Sequence, residues 1–274
     1  MAPLLSRIAG VNLNVLSKVR RALPRPGFVD FLLVGGGGGG YNGGAGGFIY
    51  TPAQPVQSGV EYTVQVGSGA NAAPGNPTFY PTTGGPSKVY LTSNPSSNLG
   101  SKEAFGGGNG SNYYDGGTGT PGGSGGGNFG YPTAFPAPGP QGAAGTPGQG
   151  YPGGDGFRGP NVEGYYPRNG GGGGGAGGRG QNASYGTDGA GGLGVYNDIT
   201  GTNVYYAAGG NGGGGSPSGS TIGGGGGSVG YQGTVIFRYP KNNSAATVSS
   251  PNYTDSPYGN YRVYIFYAPG TITF

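Results

Sequence analysis

The chain has 274 residues and a net charge of +4; 73 residues are glycine and 24 proline, which puts glycine at about four times its usual share. It holds no cysteine, histidine or tryptophan, which excludes disulfides, thiolate metal sites and histidine-based acid–base catalysis. No apolar run approaches the roughly 20 residues that a membrane span requires.

So much glycine and proline ordinarily marks a disordered chain, but disordered chains are highly charged and poor in aromatics. Here only 8% of residues are charged, and 22 tyrosines and 11 phenylalanines fall largely in short apolar segments between glycine runs. Those segments can make a core. Glycine loses more entropy on ordering than any other residue and brings no side chain to bury, so the runs must be held by backbone hydrogen bonds. Polyglycine II helices, with three residues per turn like polyproline II, meet that need when packed side by side. The expected fold is all-β: a small sheet or sandwich combined with packed polyglycine II segments.

Residues 1–27 carry Arg7, Lys18, Arg20, Arg21 and Arg25 and no acid, whereas the remainder has eight basic and nine acidic residues. In a helix over 4–23, Leu4, Ile8, Val11, Val15, Val19 and Leu23 would share one face. Gly10 weakens that helix, and Pro24 and Pro26 end it. No apolar h-region of a secretory signal is present. The segment reads as a basic amphipathic arm that docks on a partner subunit, with Arg7, Ile8, Val11, Val15, Lys18, Val19 and Arg21 as its anchoring residues.

The body, 28–239, opens with an apolar strand, Phe28 to Val34, that runs into six glycines, Gly35 to Gly40. Phe48-Ile49-Tyr50, the strictly alternating Val60 to Val66, and Lys88 to Thr92 are further strands. From about 106 to 230 glycine dominates. It recurs every third residue at Gly139, Gly142, Gly145 and Gly148 and then, after a slip in phase, at Gly150, Gly153, Gly156 and Gly159. The slip argues against a collagen triple helix; the period suits polyglycine II layers, with 170–175, 212–215 and 223–227 as further ones. Tyr113, Tyr114, Tyr131, Tyr151, Tyr165, Tyr166, Tyr185, Tyr205 and Tyr206 punctuate this region at its turns and edges.

Loop tyrosines supply large amphipathic contact area at low entropy cost. Tyr113, Tyr114, Tyr131, Tyr165, Tyr166, Tyr205 and Tyr206 are therefore candidate receptor-facing residues; packing at the layer edges is their alternative role. Asp115, Asp155, Asp188 and Asp198 lie in or beside glycine-rich turns, where Asp bonds local backbone. The strand Gly233 to Tyr239 is followed by a polar linker or loop, 240–260. The last segment, 261–274, reads as a C-terminal β-hairpin around Ala268-Pro269-Gly270.

The chemistry is sparse. No glycine run is followed by the Lys-Ser or Lys-Thr of a phosphate loop, and the nine carboxylates are scattered along the chain. Gly177-Gly178-Arg179-Gly180 is an isolated piece of the repeated cationic segments that bind nucleic acid. No enzyme activity, catalytic residue, cofactor or metal is expected, and neither a nucleic-acid partner nor membrane insertion.

Three motifs carry a resemblance. Val29-Asp30-Phe31-Leu32-Leu33-Val34-Gly35-Gly36 runs a strand into polyglycine, Tyr62-Thr63-Val64-Gln65-Val66-Gly67 follows it, and Gly233 to Tyr239 closes the glycine-rich part. Together they resemble a glycine-rich domain found in many phage and other viral proteins. Tyr261 to Phe274 is similar to a segment that accompanies that domain, often ahead of it rather than behind it as here. The resemblance, over 28–274, implies a place on the virion surface, tail or capsid exterior, and no catalytic residues. On that basis the chain is expected to be a tail-fibre or fibre-tip adhesin, with a capsid decoration or knob protein as the alternative. Its expected partners are other virion structural proteins through residues 1–27, a host surface glycan or protein, and further copies of itself in a homo-oligomer.

Overall fold

The computed structural model describes residues 22–71, 82–111, 118–130, 141–160, 168–213, 222–226, 229–255 and 257–274. Among them the regular elements are all strands. The first five are β1 (Phe28–Val34), β2 (Phe48–Pro55), β3 (Glu61–Gln65), β4 (Ser87–Leu91) and β5 (Asn94–Ala104). Four short ones follow, β6 (Phe157–Arg158), β7 (Arg168–Asn169), β8 (Val195–Asn197) and β9 (Val204–Tyr206). The last five are β10 (Thr234–Pro240), β11 (Thr247–Ser249), β12 (Tyr253–Asp255), β13 (Tyr261–Phe266) and β14 (Gly270–Thr273). Two five-stranded sheets have the orders β12-β13-β10-β1-β2 and β11-β14-β3-β4-β5, with β6-β7 and β8-β9 as separate two-stranded ribbons. All the strand pairs are antiparallel.

The two large sheets enclose an aromatic core. Val29, Phe31 and Leu33 of β1 and Val235, Phe237 and Tyr239 of β10 point inward at Tyr62, Val64, Val89 and Ile272 of the facing sheet. Phe237 is its centre, with ring centroids 6.0 Å from Phe31, 6.0 Å from Phe266 and 5.4 Å from Phe274. The alternate residues Leu32, Val34, Ile236 and Val263 are also buried, against Ala45, Ile199, Tyr206 and Ala207. The sheet carrying β1 and β10 is thus covered on both faces, which is why those strands read as continuous apolar runs.

The C-terminal segment differs from the hairpin expected of it. β13 pairs with β10 and β12, β14 pairs with β3 and β11, and the turn between them crosses from one sheet to the other. Each strand instead has one distant, largely buried neighbour, β10 for β13 and β3 for β14, and one short, nearby edge strand, β12 or β11. The segment 240–260 is likewise more than a linker, since it supplies the edge strands β11 and β12.

The glycine segments continue the strands at one end of the sandwich. The chain passes there from β1 into Gly35, from Gly47 into β2, from β3 to Gly67, from Gly85 to β4, from β5 to Gly106 and from Gly233 into β10. Ser87 binds the two sheets at this junction: its hydroxyl donates to Val34 O at 2.7 Å and accepts from Gly67 N at 2.8 Å.

Within the glycine region the donors rotate with a period of three. Gly171, Gly172 and Gly173 donate to Asn128, Gln181 and Gly210, and Gly174, Gly175 and Ala176 return to the same three neighbours at Gly125, Gly178 and Ala207, all at 2.8–2.9 Å. Gly35, Gly36 and Gly37 donate to Gly47, Gly85 and Tyr231; Gly38 and Gly39 return to Gly44 and Thr82. Each segment is thereby hydrogen-bonded to several others, and buried amides far from any sheet find partners, as they must. Side chains have no room: a Cβ added at Gly35, Gly36, Gly37 or Gly38 would stand 1.8–2.1 Å from a carbonyl oxygen of the adjoining segment.

At the opposite end of the sandwich, residues 24–27 leave along the body rather than away from it. Pro24 O accepts from Ser244 N at 2.8 Å, Arg25 Nη1 donates to Phe274 O at 3.0 Å, and Gly27 O accepts from Val56 N at 3.0 Å. The arm therefore joins the body at the end remote from the glycine junction.

Candidate recognition surface

Arg7, Ile8, Val11, Val15, Lys18, Val19 and Arg21 lie outside the described residues, as do Tyr113, Tyr114, Tyr131, Tyr165 and Tyr166. Of the tyrosines expected to face a receptor, Tyr205 and Tyr206 are described, on the β8–β9 ribbon. Adjacent strand residues point to opposite faces, and these two divide accordingly. Tyr206 is only 1% exposed and packs 6.0 Å from Phe48. Burial pushes its hydroxyl up to about 12, against a smaller downward pull from its hydrogen bond with Thr200. It is a core residue, and the expectation that it faces a receptor is corrected. Tyr205 lies on the outer face, its hydroxyl accepting from Gly194 N at 2.6 Å and its ring 4.6 Å from Tyr196. Tyr196 is 63% exposed.

The tip of this ribbon is strapped across the outer face of the β1–β10 sheet. Ile199 is buried there with Leu32 and Ile236, and Arg238 Nη1 donates to Asp198 O at 3.2 Å. Gly201, at φ +89°, lies against the Tyr258 ring, where a Cβ would meet the ring at 2.1 Å.

A second aromatic outcrop sits on the glycine region at the turn 184–187. Tyr185 is 62% exposed and meets Phe157 of β6 edge-on at 6.3 Å. Ser184 and Thr187 close the turn with reciprocal backbone bonds of 3.0 and 3.1 Å. Sequence reasoning placed Tyr185 at a turn or edge without naming it as receptor-facing; the signal was the glycine after it, which takes φ +72° as turn glycines do.

Asp30 and Arg238 line a cleft of about 260 Å³ near the arm, with Phe28, Ala53 and Tyr261 on its walls. Its polar groups serve one another: Asp30 accepts from Ala53 N at 3.0 Å and from Arg238 Nε and Nη2 at 3.1 and 2.9 Å, while the guanidinium lies 5.0 Å from the Tyr261 ring. Ala53, at φ +50°, lies in the bulge of β2 that faces Asp30, between the pairs Val29–Gln54 and Phe31–Thr51, and Asp30 holds it there. The cleft is a structural clasp. Asp155 and Asp188 act likewise on loop backbone, accepting from Gly142 N and Gly170 N at 2.8 Å. Among the described residues no group of three or more His, Cys, Asp or Glu side chains could hold a metal ion.

A two-sheet sandwich whose strands run on into hydrogen-bonded glycine segments, with aromatics exposed on ribbons and turns, defines a glycine-rich β-domain protein. A family model described as a glycine-rich domain matches residues 19–240, and the chain belongs to that family. No curated protein and no solved structure matches it.

Proposed function

We propose that this protein is a non-enzymatic structural protein of the virion surface, a tail-fibre or fibre-tip adhesin. In this reading the arm is the anchor, the glycine segments are polyglycine II helices forming a stiff platform, and exposed aromatics on that platform meet the host. The observation that carries it is the two-ended layout. Residues 24–27 dock at one end of the sandwich, the glycine segments leave from the other, and Tyr185 is exposed on the glycine region, with Tyr196 exposed on the ribbon whose tip crosses the outer sheet face. A platform without side chains loses no rotamer entropy on contact, and its tyrosines lose little. The three-residue rotation of donors supports the helix assignment.

The test is adsorption competition. Purified full chain, incubated with host cells before virus particles are added, should lower particle adsorption in a dose-dependent way. Unchanged adsorption when the cells are saturated with protein would remove the adhesin reading and leave decoration of the capsid.

A further inference from the structure

We infer that residues 28–39 are a tension rod, a single segment that carries mechanical load through the body between the arm and the glycine region. The inference rests on the adhesin reading for the source of that load: a protein anchored at one end and holding a host at the other is pulled along this axis. The chain itself supplies the path. Residues 24–27 are bonded to the body at the arm end, β1 runs from there to the glycine junction, and Gly35 to Gly39 continue it into the glycine region. Every residue from Phe31 to Gly39 is buried.

The rod is gripped along its whole length. β1 has an antiparallel neighbour on each side, β10 from Asp30–Arg238 to Val34–Thr234 and β2 from Phe28–Pro55 to Val34–Phe48. Beyond it, Gly36, Gly37, Gly38 and Gly39 donate to Gly85, Tyr231, Gly44 and Thr82 at 2.8–3.1 Å. Their carbonyls accept from Gly107, Ala70, Gly226 and Gly110, also at 2.8–3.1 Å. Gly44, Ala70, Gly85, Gly107 and Gly226 lie on separate stretches of chain, so the rod is held from several sides.

This arrangement resists a pull along the axis. The bonds of an antiparallel pair lie perpendicular to the strands, so axial tension loads them sideways and together. β2 and β10 are both entered from the glycine region, through Gly47 and Gly233. Tension therefore draws them toward the glycine end while the arm draws β1 the other way, and the strands must slide rather than peel. A buried amide that slides out of register loses its partner and finds no water in exchange. A pull on β1 and β10 from the arm end alone would instead open their pairs one after another.

Single-molecule force spectroscopy on the full chain tests this. The chain has no cysteine, so paired cysteine substitutions at exposed positions give unambiguous handles. Leu23→Cys with Ser184→Cys pulls along the rod, and Leu23→Cys with Asn242→Cys peels β1 from β10 at the arm end; all three positions are exposed. Forced rupture reads the barrier to unfolding along the pulled direction, and it should be several times higher for the first pair. Gly37→Ala should lower the force along the rod and leave the peeling force unchanged, because peeling opens Asp30 and Arg238 before it reaches Gly37. Equal forces in the two directions, or a Gly37→Ala effect of the same size in both, would overturn the inference. If Gly37→Ala does not fold, the two directions compared without it decide alone. The two readings separate: a direction-dependent force without adsorption competition upholds the rod and removes the adhesin, and competition without direction dependence does the reverse.

Discussion

Gly37→Ala isolates the packing of the glycine region, because its φ lies outside the left-handed range and the backbone itself would accept alanine. The new Cβ would stand 1.8 Å from Gly224 O and 2.5 Å from its carbon. Carbon and carbonyl oxygen settle no closer than about 3.3 Å, so the 224 segment must retreat. Retreat breaks the Tyr231 N to Gly224 O bond of 2.9 Å and stretches those from Gly37 N to Tyr231 O, 2.8 Å, and Ala70 N to Gly37 O, 2.9 Å. One buried bond broken, at about 1–3 kcal/mol, and two weakened, together costing about as much again, less about 0.4–1 kcal/mol from stiffening the unfolded chain, leaves a destabilisation of about 3 kcal/mol. For a chain of this size that lowers Tm by roughly 10 °C. Gly178→Ala is the control: its Cβ would meet only Leu193 N at 3.6 Å and Leu193 Cβ at 3.8 Å, so its stability should change by under about 0.5 kcal/mol. Calorimetry on both variants decides. If Gly37→Ala melts with the unsubstituted protein, the glycine segments do not pack as described.

Ser87→Ala should cost about 2–3 kcal/mol, read by urea unfolding, because Val34 O loses its donor and Gly67 N its acceptor at the sheet junction and buried groups are left unpaired. Phe237→Ala, at the centre of the aromatic core, should cost about 3–5 kcal/mol in the same assay. Stability should also fall on the alkaline side. Tyr206 titrates at about 12 when folded against an ordinary 10.0. Between those values the unfolded chain has released a proton that the folded chain keeps, so rising pH favours unfolding, by ~3 kcal/mol at the upper end. Burial moves Tyr239 in the same direction. Tyr206→Phe should flatten this decline in denaturation curves taken across that range; an undiminished slope would contradict the assignment.

Where apolar runs or alternation were strong, the sequence was legible. Phe28 to Val34, Val60 to Val66, Lys88 to Thr92 and Gly233 to Tyr239 all fall on strands with matching boundaries to within a residue or two. β5 was not read, because Asn94-Pro95-Ser96-Ser97-Asn98 is polar, and Gly100 and Ser101, at φ +62° and +55°, interrupt its alternation; only Leu99 and Ala104 are buried in it. The C-terminal pairing was misread because local turn chemistry cannot report which distant edge a strand will join. The donor rotation at 171–176 falls on an uninterrupted glycine run and the alanine that ends it, where the sequence has no spacing from which a period could be read. The partners of each glycine segment were not legible either, since glycines carry no side chain to label a neighbour. At the candidate surface, Tyr205 and Tyr206 looked equivalent by composition, and strand alternation separated them once β8–β9 was seen.

The proposed place on the virion is most directly tested by immunogold electron microscopy of intact particles carrying this gene, with antibody raised against the purified chain. Label at fibre tips or the tail is the predicted result. Label confined to the head would contradict the adhesin assignment and make the protein a decoration of the capsid, and particles bearing no label would contradict a virion role altogether.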